Sequence, residues 1–270
     1  MMRVLKNFID FYLHASIHVA VAAWALVQVT LLGFDLPYDK AAGYVTFCAT
    51  VVSYNFMKYG TTARKYIIVS SGYVRLIQGI SFLCFGIGVF YAFQLRIPAL
   101  AVLAAATVLA ALYALPFLPG HKSFRSLHGL KIYMVALCWC LVTVLFPVVN
   151  AGLPLSRDVY IAVIQRFIFI LVLVLPFDIR DLKYDELSLG TLPQQIGIKK
   201  TKWAGILLLL LFYGLGFLRE EYTAQMLWVN GIVVGVTGLL VGLSKKEQPE
   251  YYSSIYVESV PLLWWALLMI

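Results

Sequence analysis

The chain has 270 residues, 62% of them hydrophobic and only 13% charged, with a mean hydropathy of +0.87. Soluble domains carry about 25% charged residues, so this composition excludes an ordinary soluble protein and describes a polytopic membrane protein. The formal charge of +8 does not point to nucleic acid, because the Lys and Arg residues lie in short loops between apolar runs, where membrane topology alone collects them.

Nine apolar runs follow in chain order, at about 11–33, 41–57, 74–93, 97–118, 132–149, 159–177, 203–218, 224–243 and 254–270. A span needs about 20 residues to cross a core of about 30 Å. The runs at 41–57 and 203–218 are short, which leaves a re-entrant segment open for one of them. The first run is too long for a signal-peptide core of about 7–15 residues and reads as a spanning helix. It carries His14 and His18 at i, i+4, a metal-compatible spacing that lacks a third ligand in register and is more often an interfacial or packing feature. The second run ends in Asn55, Lys58, Tyr59 and Thr62, which share one polar helical face, and continues into a basic loop with Arg64 and Lys65. Its aromatics Tyr54, Phe56 and Tyr59 are candidates for the lining of an apolar channel.

With nine spans and a cytoplasmic N-terminus, only Lys40, Arg96, Arg157, Arg166 and Arg219 of the 21 Lys and Arg fall on the outer side. That asymmetry supports both the count and the orientation. The expectation is one all-α transmembrane unit over 1–270, resident in the cytoplasmic (inner) membrane. Cys48, Cys84, Cys138 and Cys140 all lie inside apolar runs without metal-type spacing, so they read as small packing residues and not as a disulfide framework.

The sixth run meets a basic loop at Asp178-Ile-Arg-Asp181-Leu-Lys-Tyr-Asp185. On a helix these three carboxylates fall within about 60° of one another. Aligned anions repel unless a cation lies between them, and in a membrane protein such a cluster is a candidate site; the plainer reading is a solvated helix end neutralised by Arg180 and Lys183. Carboxylates bind Mg²⁺ with one or two groups per ion, the rest of the shell coming from water and ligand phosphates. Asp178, Asp181 and Asp185 are therefore candidate metal ligands, and Lys199, Lys200 and Lys202, or Arg64 and Lys65, candidate phosphate clamps. For each lysine the positive-inside bias is the simpler explanation.

The stretch from Asp178 through Gly190-Thr191-Leu192 to Ile196-Gly197 resembles the second aspartate-rich motif of the UbiA superfamily of intramembrane prenyltransferases. The resemblance is specific over about twenty residues, and it implies a nine-helix bundle with a cytoplasm-facing, Mg²⁺-dependent site. It implies transfer of an isoprenyl group from a diphosphate donor to a lipid-soluble acceptor. The family's first motif is degenerate here. Asn55 is kept, but Phe56, Tyr59 and Ala63 stand where its three aspartates would be. Lys58 then either supplies charge in place of a second metal or snorkels at the interface. The resemblance adds Glu258 as a cavity-facing acceptor or base, Asn55 and Tyr59 as substrate contacts, and Tyr113 with the basic loop of Lys122, Arg125 and Lys131 as a Tyr- and Lys-rich family loop. A non-catalytic protein of the same fold, binding lipid or serving as a subunit of a membrane complex, is the alternative that the degenerate motif raises. A secondary transporter fits less well, because transport sites lie near the midplane on interrupted helices.

Overall fold

The computed structural model describes residues 2–59, 72–115, 129–185 and 189–270, and the described residues are helical with no strand. Arg64, Lys65, Lys122 and Arg125 lie outside them. In chain order the helices are α1 (Met2–His14), α2 (Ile17–Gly33), α3 (Lys40–Tyr59), α4 (Gly72–Ala92) and α5 (Ile97–Ala114). Helix α6 (Lys131–Cys140) runs through a π turn, Leu141–Leu145, into α7 (Phe146–Ala151). Then come α8 (Arg157–Asp181), α9 (Leu192–Gly216), α10 (Ala224–Leu243), a π turn at Tyr252–Val257 and α11 (Val260–Leu268).

Five described helices are long and apolar enough to cross a membrane, six if the bent pair α1–α2 forms one span. The protein is thus a multi-pass membrane protein, and the apolar runs of the sequence reappear as its helices. The short second run proves to be a continuous helix of 20 residues, about 30 Å at 1.5 Å per residue. Its length was hidden because polar Lys40, Lys58 and Tyr59 form its ends.

One expectation is corrected. The first run is two helices, bent by 58° where Ser16 adopts a left-handed conformation at φ 59°. Helix α1 alternates Val4, Leu5 and Phe8, all exposed, with Lys6 and Asp10, which bind Glu250 and Tyr251. A helix apolar on one side and charged on the other lies along an interface instead of crossing it. The break also parts the two histidines. His14 bonds Tyr73, while His18 bonds Tyr12, Ser259 and the Ile255 carbonyl, so they form no metal pair.

Helix α8 is the axis of the bundle. It packs on α6, α9 and α10, and Phe169, Phe212 and Trp264 interlock at its centre with ring centroids 5.0–6.0 Å apart. Gly205 on α9 permits close approach there, since a Cβ would stand 2.9 Å from Leu175 Cδ1. The last helix, α11, packs on α2. This packing places the C-terminus of α8 beside the N-terminus of α6, and that junction holds the site.

Candidate functional site

Helix α8 ends at Asp181, not at Asp185 as a straight helix through the motif would require. A turn follows, and the Asp185 amide donates to the Asp181 carbonyl at 2.8 Å, which brings the Asp185 side chain back toward the helix end. Asp178 is fully buried. Its Oδ1 accepts from Lys131 Nζ at 3.1 Å, and the same amine lies 3.7 Å from Asp185 Oδ2. Asp181 turns away and pairs with Arg180 Nε at 2.8 Å. Two of the three predicted carboxylates therefore converge, and the cation between them is Lys131.

The turns on either side hold this arrangement. Gly129, at φ +69°, lets the chain enter α6, and its amide donates to the Leu189 carbonyl at 2.9 Å. A side chain at Gly129 would meet both the strain of positive φ and Gln195 Nε2 at 3.2 Å. At the start of α9 the Thr191 amide donates to Gln194 Oε1 at 2.9 Å, and Gln194 also donates to the Asp185 carbonyl. The Gly-Thr-Leu segment of the motif thus fixes the loop that carries Asp185.

The remaining candidates are divided. Asn55 donates to the Ala15 carbonyl and Ser81, Lys58 to the Leu13 carbonyl and Ser16, and Tyr59 to the His14 carbonyl. All three fasten the α1–α2 break, where carbonyls at the end of α1 would otherwise lack partners. Lys199 and Lys200 are exposed and make no ion pair among the described residues, while Lys202 donates to the Gly242 carbonyl. Glu258 lies where both Lys58 and Arg180 act on its charge, so it faces the same end of the bundle as the aspartates.

An apolar chamber of about 130 Å³, open on one side, lies between α3, α5 and α6. Its wall on α6 is Met134, Val135 and Cys138, which continue at helical spacing from Lys131 along one face. Helix α5 adds Leu103, Ala106, Ala110 and Tyr113, and α3 adds Thr50, Ser53, Tyr54 and Met57. Trp139 donates to the Tyr54 hydroxyl at 3.3 Å across the chamber. Asn55, Phe56 and Tyr59 sit on a different face of α3 and line a separate groove against α4. The chamber side of α3 therefore presents no carboxylate. Sequence reasoning left Lys131 among loop lysines; the signal available was that it opens the fifth apolar run in phase with Met134, Val135 and Cys138.

Among the described residues no three His, Cys, Asp or Glu side chains gather closely enough to enclose a metal ion by themselves. However, Asp178 Oδ2 and Asp185 Oδ2 are buried and make no hydrogen bond. Two carboxylates with orphaned oxygens fit a Mg²⁺ ion completed by water and phosphate.

No family model matches the chain, and no curated protein matches it in sequence. Solved structures do match in fold. A UbiA homolog from Aeropyrum pernix K1 aligns at TM-score 0.64 with 17% identity, over 93% of this chain and 96% of its own. A UbiA homolog from Archaeoglobus fulgidus bound to Cd²⁺ aligns at 0.60 with 11% identity, over 95% and 100%. A digeranylgeranylglyceryl phosphate synthase aligns at 0.58 with 15% identity, over 98% and 96%. At these identities the shared property is the architecture, and the chain has the UbiA fold over nearly its whole length.

Proposed function

We propose that the chain is a membrane-embedded prenyltransferase, moving an isoprenyl group from a diphosphate donor to a lipid-soluble acceptor. The observation that carries this reading is the Asp178–Lys131–Asp185 cluster, with Asp178 fully buried, at the start of the α6 face that continues along an apolar chamber. A diphosphate ester with an isoprenoid tail has those two chemistries, an anionic head and an apolar chain. The fold likeness supports the same reading.

Lys131 would bind the diphosphate, since its amine already points between the two carboxylates. Asp178 and Asp185 are the residues that would hold Mg²⁺, and a bound ion would neutralise charge on the leaving diphosphate. The C–O bond breaks with its electron pair going to the diphosphate, and the allylic carbon forms its new bond to the acceptor. Tyr54, Tyr113 and Trp139 line the chamber where the cationic fragment would be held away from water. Glu258, on whose charge Lys58 and Arg180 act, would take the acceptor's proton. In the intact protein we assign nine spans, a cytoplasmic N-terminus and a site facing the cytoplasm, on the distribution of Lys and Arg.

The test is diphosphate release by purified protein from a panel of isoprenyl diphosphates with Mg²⁺, comparing the wild type with Asp178→Asn. Release that disappears in the variant supports the proposal, and equal release in both removes Asp178 from the mechanism. A second reading, a non-catalytic lipid-binding or subunit role in a membrane complex, draws on the carboxylate-free chamber face of α3. It predicts no release from any donor.

A further inference from the structure

The other end of α8 carries a second charged pocket, which the prenyl-transfer reading does not use. Arg166 lies twelve residues before Asp178, about 18 Å along the helix, and is 4% exposed. Its guanidinium donates to the Leu26 carbonyl at 3.1 Å and to the Thr143 and Thr30 hydroxyls at 3.3 Å each, and it lies over Trp264 at 5.1 Å. All these partners are neutral, and no carboxylate among the described residues lies within ion-pair distance of it.

A second guanidinium faces the same space. The Arg219 side chain is 9% exposed. It donates through Nη2 to the Gly33 carbonyl at 2.8 Å, while its buried Nε has no hydrogen-bond partner. The nearest carboxylate, Asp158, stands 3.9 Å from that Nε and is already accepting from the Glu220 and Glu221 amides. Arg166 thus has no carboxylate partner among the described residues, and the one beside Arg219 is already engaged by two amides. A buried charge without compensation costs several kcal/mol, so the arrangement is one that an added anion would stabilise.

The space between them is bounded by Arg166, Arg219, Gln165, Asn230, Trp264 and Leu268. Its volume is about 40 Å³. One water needs about 10–15 Å³ by that measure, so the pocket has room for a single oxyanion group and not for a folded isoprenoid. Paired guanidinium forks match the tetrahedral oxygens of phosphate.

We infer that this pocket, between the end of α2 and the starts of α8 and α10, binds a phosphate group. The group is either free phosphate or the headgroup of an anionic lipid whose tails lie beyond Trp264 and Leu268. The inference stands independently of the proposed transfer reaction.

The experiment follows thermal unfolding of the full chain, purified in detergent, at fixed ionic strength. The probes are inorganic phosphate, dihexanoyl phosphatidic acid and, as an uncharged control, dihexanoylglycerol. The variants are Arg219→Gln, which removes one cation, and Ala162→Leu, which fills the pocket from an apolar wall position and leaves the charges alone. Lys131→Met serves as a control for the cytoplasmic cluster. We expect a saturable rise in the unfolding midpoint, with half-saturation shifted at least about tenfold in both pocket variants and unshifted in Lys131→Met. Saturation by phosphate alone identifies a free anion. Saturation only by phosphatidic acid, with dihexanoylglycerol inert, identifies a lipid headgroup. No saturable rise with either phosphate probe, or an unshifted half-saturation in either pocket variant, overturns the inference.

Discussion

Replacing Lys131 with Met tests whether its amine is the cation that allows Asp178 and Asp185 to share a buried site. Asp178 is fully buried and Lys131 is its ion-pair partner at 3.1 Å. Removing one member of a buried pair costs about 3–5 kcal/mol, because the other charge is left uncompensated. Lys131 and Asp185 keep 17% and 18% of their side-chain surface exposed, so water screens part of the loss and about 3 kcal/mol is the expected figure. At about 2–4 °C per kcal/mol, the unfolding midpoint should fall by about 6–12 °C. Asp178→Asn in the Lys131→Met background removes the stranded charge and should recover at least half of that fall. Millimolar Mg²⁺ should raise the midpoint of Lys131→Met and do much less for the double variant, since the orphaned oxygens of Asp178 and Asp185 then take the divalent ion. A Lys131→Met protein within about 0.5 kcal/mol of wild type, or a double variant no more stable than the single one, would refute the reasoning.

Further outcomes follow from the packing. Lys58→Met should loosen the end of α1 by about 1–2 kcal/mol, through lost hydrogen bonds to the Leu13 carbonyl and Ser16; faster amide exchange over residues 4–16, with the rest of the bundle unchanged, is the readout. Gly205→Ala places a Cβ 2.9 Å from Leu175 and 3.3 Å from Val241, and should destabilise the α8–α9–α10 packing by about 1–3 kcal/mol in thermal unfolding. Ala110→Trp narrows the chamber one turn before Tyr113, toward the end of α5. It should suppress turnover of long-chain donors at least about tenfold more than that of short ones, measured as relative kcat/KM across the donor panel.

Much of the fold was legible because hydropathy and helical length are local properties. The apolar runs gave the helices, but the start of α9 at Leu192 lay ahead of its run at 203–218, because its first turns carry Gln194, Gln195, Lys199 and Lys200. The break at Ala15–Ser16 was not legible, because Ser16 takes its left-handed conformation with no glycine or proline nearby to announce it. It is held from outside by Asn55, Lys58 and Tyr59, whose i, i+3, i+4 spacing signalled a shared polar face but not which partner that face meets. The carboxylate cluster was legible as a charge problem, and its solution was not. Lys131 is 47 residues from Asp178 in sequence, and a lysine at an inner helix end looks the same whether it neutralises a lipid headgroup or an aspartate. Arg166 was visible as an unusual charge within a span, but only the packing of α2 and α11 around α8 shows that its partners are neutral.

The most direct test of the central claim is an experimental map of the protein with Mg²⁺ and a non-cleavable thio analogue of an isoprenyl diphosphate. The account predicts density for the diphosphate against Lys131, an ion between it and Asp178 and Asp185, and the tail running along Met134, Val135 and Cys138 between α3, α5 and α6. Density confined to the groove between α3 and α4, or a diphosphate bound away from Asp178 and Lys131, would contradict it.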